Sequence, residues 1–198
     1  MKKSLILALA VLMVVCFAAG ATLAYLFVET NQVVNTFAYG DINIDLTETV
    51  NGNSQSAATN KVENNNFKMI PGDTLTKDPE VIVKAGSEAC WLFVKVEKGN
   101  NFDTFMTYQM ASGWTEMGTG TGIYYREVSA AAADQEFAVL LNNQVTVKPE
   151  VTKVMLNALT EGTMPTLTFT AYAVQKNNVA SVTDAWNLVA TKGIPSNP

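Results

Sequence analysis

Short runs in which apolar and polar residues strictly alternate, each broken by Gly, Asn or Pro, constrain this chain more than any other feature. Side chains on an extended strand point to two faces in turn, so such a run reads as a strand with one face buried. Residues 90–97 are the clearest core strand, apolar on both faces at its start. Cys90, Leu92, Val94 and Val96 share one face; Trp91, Phe93, Lys95 and Glu97 share the other. The Trp91–Phe93 side has two readings at this point: a second layer of core, or an apolar patch for a partner. Residues 41–46 place Ile42, Ile44 and Leu46 on one face and Asp41, Asn43 and Asp45 on the other. Asp-x-Asn-x-Asp also opens a calcium-binding EF-hand loop. The sixth and twelfth positions of that loop should be Gly and Glu, and here they are Leu46 and Gly52. A half-buried strand fits better.

Further strands follow by the same rule. Leu167, Phe169, Ala171 and Ala173 alternate with Thr168, Thr170 and Tyr172, a pattern of small residues suited to close packing against a second sheet. Leu75 and residues 81–83 follow the Pro71-Gly72 turn, and residues 137–141 and 145–147 read as two strands joined through Asn142 and Asn143. Residues 123–128 follow alternating glycines at 118, 120 and 122. Without a Gly-Lys-Ser/Thr or a following helix these make a hairpin rather than a phosphate loop. The Asn- and Ser-rich residues 47–66 read as a long surface loop or a wandering edge. Phe102, Phe105, Met106 and Met110 have helical spacing, so a short helix is expected within residues 100–110. Residues 130–136 read as a helical turn or loop. Val151, Val154, Met155 and Leu159 show no clean period. Ser181 and Asp184 open a capped helix that Gly193 and Pro195 close. The expectation is an all-β fold, a two-sheet jelly-roll-like sandwich with one or two short helices.

The chain's beginning has a separate organisation. Lys2 and Lys3 lead into an apolar run over residues 5–19, and small residues follow, with Thr22 and Ala24 at the −3 and −1 places of a secretory signal peptide. Cleavage is expected between Ala24 and Tyr25, giving a signal over residues 1–24 and a single domain over residues 25–198. No stable membrane span is expected after processing. Loss of Lys2 and Lys3 takes the formal charge from −5 to about −7. So acidic a chain lacks the basic face that nucleic acid or an anionic membrane requires. Beyond the signal Cys90 is the only thiol, so stability must come from packing rather than a disulfide. The chain has no histidine. That removes Ser-His-Asp and Cys-His nucleophiles and any His-Glu-x-x-His zinc site. Neither a catalytic centre nor a cofactor is expected.

Three segments carry a family resemblance. Gly20-Ala-Thr-Leu-Ala-Tyr-Leu, a polar spacer and Asn35-Thr-Phe-Ala-Tyr-Gly-Asp-Ile-Asn-Ile-Asp-Leu form the first. Ile70-Pro-Gly-Asp-Thr-Leu-Thr-Lys-Asp is the second, and Thr168-Phe-Thr-Ala-Tyr-Ala-Val-Gln with Ala185-Trp186 is the third. In this order they resemble the TasA/camelysin family of Gram-positive bacteria. Its members are exported through a SipW-type signal peptidase and include biofilm matrix fibre subunits. The family's usual Phe-Thr/Ser-Asp after the cleavage site is replaced here by residues 26–29, Leu-Phe-Val-Glu. Metalloprotease activity has been ascribed to camelysin relatives, but without histidine this chain offers no such chemistry to carry over.

The resemblance implies a secreted protein of the extracellular matrix or cell surface that assembles with copies of itself. The segment Tyr25, Leu26, Phe27 and Val28 is then either the first strand of its own sheet or a donor strand. Freed by signal removal, a donor strand would pair with a sheet edge of a neighbouring copy and so build an open filament. A second expectation is a monomeric surface adhesin in which Trp114, Tyr124 and Tyr125 bind a ligand such as a glycan.

Overall fold

The computed structural model describes residues 41–50, 53–56, 68–99 and 101–192, all within the unit spanning residues 40–198. The cleavage pair Ala24–Tyr25 and the segment from Tyr25 to Val28 lie outside the described residues. The described chain is all-β with a few short helices. Its strands are β1 (Ile44–Val50), β2 (Asn53–Ser56), β3 (Thr74–Thr76), β4 (Glu80–Val83), β5 (Cys90–Lys98) and β6 (Met106–Met110). They continue with β7 (Thr115–Glu116), β8 (Ile123–Val128), β9 (Gln135–Ala138), β10 (Leu140–Val147) and β11 (Leu167–Gln175). The helices are α1 (Phe102–Phe105), α2 (Lys153–Asn157) and α3 (Val182–Lys192).

All pairings among these strands are antiparallel, in three sheets ordered β2-β1-β4-β9, β3-β10-β6 and β11-β5-β8-β7. The first two are stitched together because β9 and β10 are separated only by Val139, whose N–H donates to the Pro79 carbonyl at 2.9 Å. One core takes side chains from all three sheets, with Val81, Val83, Leu92, Val94, Val139, Leu140 and Val147 almost wholly out of water. Cys90 belongs to it, and burial pushes its thiol up to about 11, so it packs as a small hydrophobe.

The alternating runs at 90–97, 123–128 and 167–173 form β5, β8 and β11, and Ile42, Ile44 and Leu46 pack against the core. The Pro71-Gly72 turn forms with Gly72 at φ 84° and the Asp73 N–H donating to the Ile70 carbonyl at 3.0 Å. Four local expectations are corrected. Residues 47–50 and 53–56, read within a long surface loop or wandering edge, form the end of β1 and the edge strand β2, held by antiparallel pairing with each other. The helix in 100–110 ends at Phe105, and Met106, Tyr108 and Met110 alternate on β6, held by pairing with β10. Gln135 and Glu136 belong to β9 rather than to a helical turn. Asn142 and Asn143 do not separate two strands. Both adopt φ 55° inside β10 as a bulge, a conformation asparagine tolerates, while the Lys77 N–H still reaches the Asn143 carbonyl at 2.9 Å.

The Trp91–Phe93 side of β5 is a second layer of core. Trp91, Phe93 and Ala185 are buried there, with Tyr125, Tyr172 and Trp186 around them. Helix α3 lies over this face and sets Trp186 5.3 Å from the Phe93 ring and 5.8 Å from the Tyr172 ring. Its start is capped as expected: Ser181 Oγ accepts from the Asp184 N–H at 3.1 Å and donates to Asp184 Oδ2 at 2.7 Å.

Candidate functional site

The three aromatics considered for ligand binding do not converge. Tyr124 and Tyr125 are neighbours on β8 and so point to opposite faces. Tyr124 packs on the main core, as does Tyr108. Burial first, and Tyr124 second, push the Tyr108 phenol well above its ordinary value. Tyr125 packs in the second core, with Trp91 at 6.1 Å between ring centroids. Trp114 is half-buried against the main core, and its indole N–H donates to the Ala138 carbonyl at 2.9 Å.

That indole bond belongs to a clasp between the β7–β8 side of the third sheet and β9. Arg126, the only arginine in the chain, places its guanidinium 4.0 Å from the Phe137 ring centroid and 5.2 Å from that of Trp114. Stacking between two rings holds the cation, and desolvation lowers its pKa without discharging it.

The region around β1 and β11 is built differently. β11 runs beside β1, and among the described residues β11 is hydrogen-bonded on one side only, to β5 along its nine residues. A bare edge normally carries lysine, proline or a bulge to discourage pairing. β11 reads Leu-Thr-Phe-Thr-Ala-Tyr-Ala-Val-Gln and has none of these. Its core-facing Phe169, Ala171 and Ala173 remain only half-buried, as do Ile42, Ile44 and Leu46 at β1. The seam between the two strands is therefore apolar and incompletely covered, and among the described residues no strand pairs with the outer edge of β11.

One ion pair bounds this seam. Glu48 follows Ile44 and Leu46 on the same face of β1, and its Oε1 accepts from Lys77 Nζ at 2.7 Å. The two side chains are only 24% and 13% exposed. Lys77 Nζ also lies 5.4 Å from the centroid of the Phe169 ring, so it bridges β1 and β11 where β11 begins. Sequence reading did not single out Lys77, Glu48 or Arg126. For Glu48 a signal existed: it interrupts an apolar parity running through 42, 44 and 46. Among the described residues no cluster of three or more side chains is arranged to hold a metal ion, and no helix is long and apolar enough to cross a membrane. The chain matches no family model, no curated protein and no solved structure.

Proposed function

We propose that this chain is a secreted structural protein of the TasA/camelysin kind, which polymerises head to tail into extracellular biofilm matrix fibres. In this reading its three sheets form the two layers of a jelly-roll-like sandwich. A SipW-type signal peptidase cuts between Ala24 and Tyr25 during export. The freed segment Tyr25, Leu26, Phe27 and Val28 of one copy then adds as a strand to the β11 edge of the next. The partner is another copy of the same chain at the surface of a Gram-positive-type bacterium, and no catalysis is involved.

The observation that carries the reading is the β11 edge: nine residues without charge or proline, beside a half-covered apolar seam. Strand addition there would satisfy backbone donors and acceptors and cover the seam in one step. Because donor and acceptor are different surfaces, each addition leaves a new edge and the chain of copies does not close. The glycan-binding alternative draws no support from Trp114, Tyr124 and Tyr125, which are packed on two separate faces. Electron microscopy of the processed protein, beginning at Tyr25, should reveal filaments. Removal of residues 25–29 should leave folded single subunits, and filaments of unchanged number and length after that deletion reject the donor role.

A further inference from the structure

Resting on the fibre reading, we infer that the β1–β11 seam selects both the direction and the register of the incoming strand. Selection comes from Ala171 and Ala173 at one end and the Lys77–Glu48 pair at the other. Core-facing residues along β11 run Phe169, Ala171, Ala173, so the two small side chains leave room where a partner strand would lie. An added strand antiparallel to β11 sets its own carboxyl end toward Phe169. With Tyr25 opposite Ala173, Phe27 stands opposite Ala171 and Glu29 opposite Phe169. Two aromatic rings then meet two alanines. The Glu29 carboxylate arrives beside Lys77 Nζ, which already lies 5.4 Å from the Phe169 ring.

The alternatives fail on the same residues. A slip of one residue turns Leu26 and Val28 inward and moves Tyr25, Phe27 and Glu29 to the other face. A slip of two sets Phe27 against Phe169 or carries Glu29 into the apolar part of the seam, where a carboxylate has no cation. A parallel strand brings Glu29 to the alanine end, far from Lys77. The Lys77–Glu48 pair is already enclosed, and Lys77 has a second ammonium hydrogen to offer an incoming carboxylate. Enclosed polar pairs are well suited to fixing register, because misplacement leaves a charge without a partner.

The test uses the processed chain from Tyr25, with filament elongation followed by light scattering and microscopy. Glu29→Lys lies on the incoming segment, outside the described fold, and should slow elongation about a hundredfold or more by setting two ammonium groups together. Adding Lys77→Glu with Glu48→Lys keeps an internal pair of reversed sense, and E29K in that background should elongate again. Independently, Phe27→Cys with Ala171→Cys should form intersubunit disulfides in filaments treated with oxidised glutathione. Phe27→Cys with Ala173→Cys should not, because only the directly opposite pair is within disulfide reach. Cys90 is fully buried and does not compete. Absence of filaments from the unsubstituted protein overturns the fibre reading itself. Filaments that form normally but tolerate E29K, or a block that the inverted pair does not relieve, overturn the register and leave the fibre reading standing. Where the inverted pair fails to fold by circular dichroism, the cross-link decides: bonding at 173 rather than 171, or at neither, overturns it.

Discussion

At the residue scale, carboxylates crowd the outward face of β4. Val81 and Val83 point to the core, so Glu80 points away from it. Glu80 pairs across to Ala138 and Ile82 to Glu136, which makes Glu80 and Glu136 diagonal neighbours on one face. Partial burial first, then Glu136 and Asp78, raise the Glu80 pKa above its ordinary 4.5. A raised carboxylate pKa means the folded state binds the proton more tightly than the unfolded chain does. The resulting contribution favours folding below about pH 4.5 and is lost as pH rises through the folded-state value. Glu80→Gln should therefore stabilise the protein at pH 7 by about 0.5 kcal/mol, a small figure because water screens the group. The gain should vanish below about pH 4, where the wild-type side chain is protonated as well. Urea melts at both pH values check this. Equal gains at pH 4 and pH 7 would assign the effect to something other than charge.

At the element scale, α3 covers the outward aromatic face of the third sheet. That face could not remain exposed without cost: Phe93 is fully buried, and Trp91 and Phe93 meet Tyr125 and Tyr172 around Trp186. Trp186→Ala removes the ring that fills this layer and should cost about 3 kcal/mol, the lower end of aromatic truncations because Trp186 is itself half-buried. Chemical denaturation gives the value, and binding of an apolar dye should rise as the face opens. A loss under about 0.5 kcal/mol would mean that α3 does not hold the layer.

Elements like these divide into those legible in the sequence and those that were not, for identifiable reasons. β5 and β11 are legible over residues 90–97 and 167–173, apolar runs long enough to outweigh other patterns. The Ser181–Asp184 cap and the Pro71-Gly72 turn are legible because their chemistry is local. β6 was ambiguous, since Met106 and Met110 fit a helical spacing while Met106, Tyr108 and Met110 also alternate. Pairing with β10 decides between the two. α2 was missed because five residues show no period, although Thr152 at its start accepts from the Met155 N–H. The seam was legible only in part. Alternation places Ala171 and Ala173 on one face, but which strand lies beside them depends on contacts distant in sequence. Lys77 meets Glu48 across 29 positions, and no local pattern announces such a pair.

At the scale of the whole molecule, the proposed assembly would have to overcome charge. A chain cleaved after Ala24 would carry a formal charge of about −7 at pH 7, and the chain's pI is near 4.7, so successive copies in a filament would repel one another at neutral pH. Repulsion spread over a surface is screened over about 30 Å at 0.01 M salt and about 10 Å at 0.1 M. The enclosed pairing of Glu29 with Lys77 would be screened far less, because partly buried charges see little of the ion atmosphere. Elongation of processed filaments should therefore accelerate between about 0.01 and 0.15 M salt and then level off. It should also accelerate as pH falls from 7 toward 5 and the net charge shrinks toward zero. The sign of the salt response separates two kinds of interface. Elongation that slows steadily as salt rises would place complementary surface charges, rather than strand pairing in an apolar seam, at the centre of assembly.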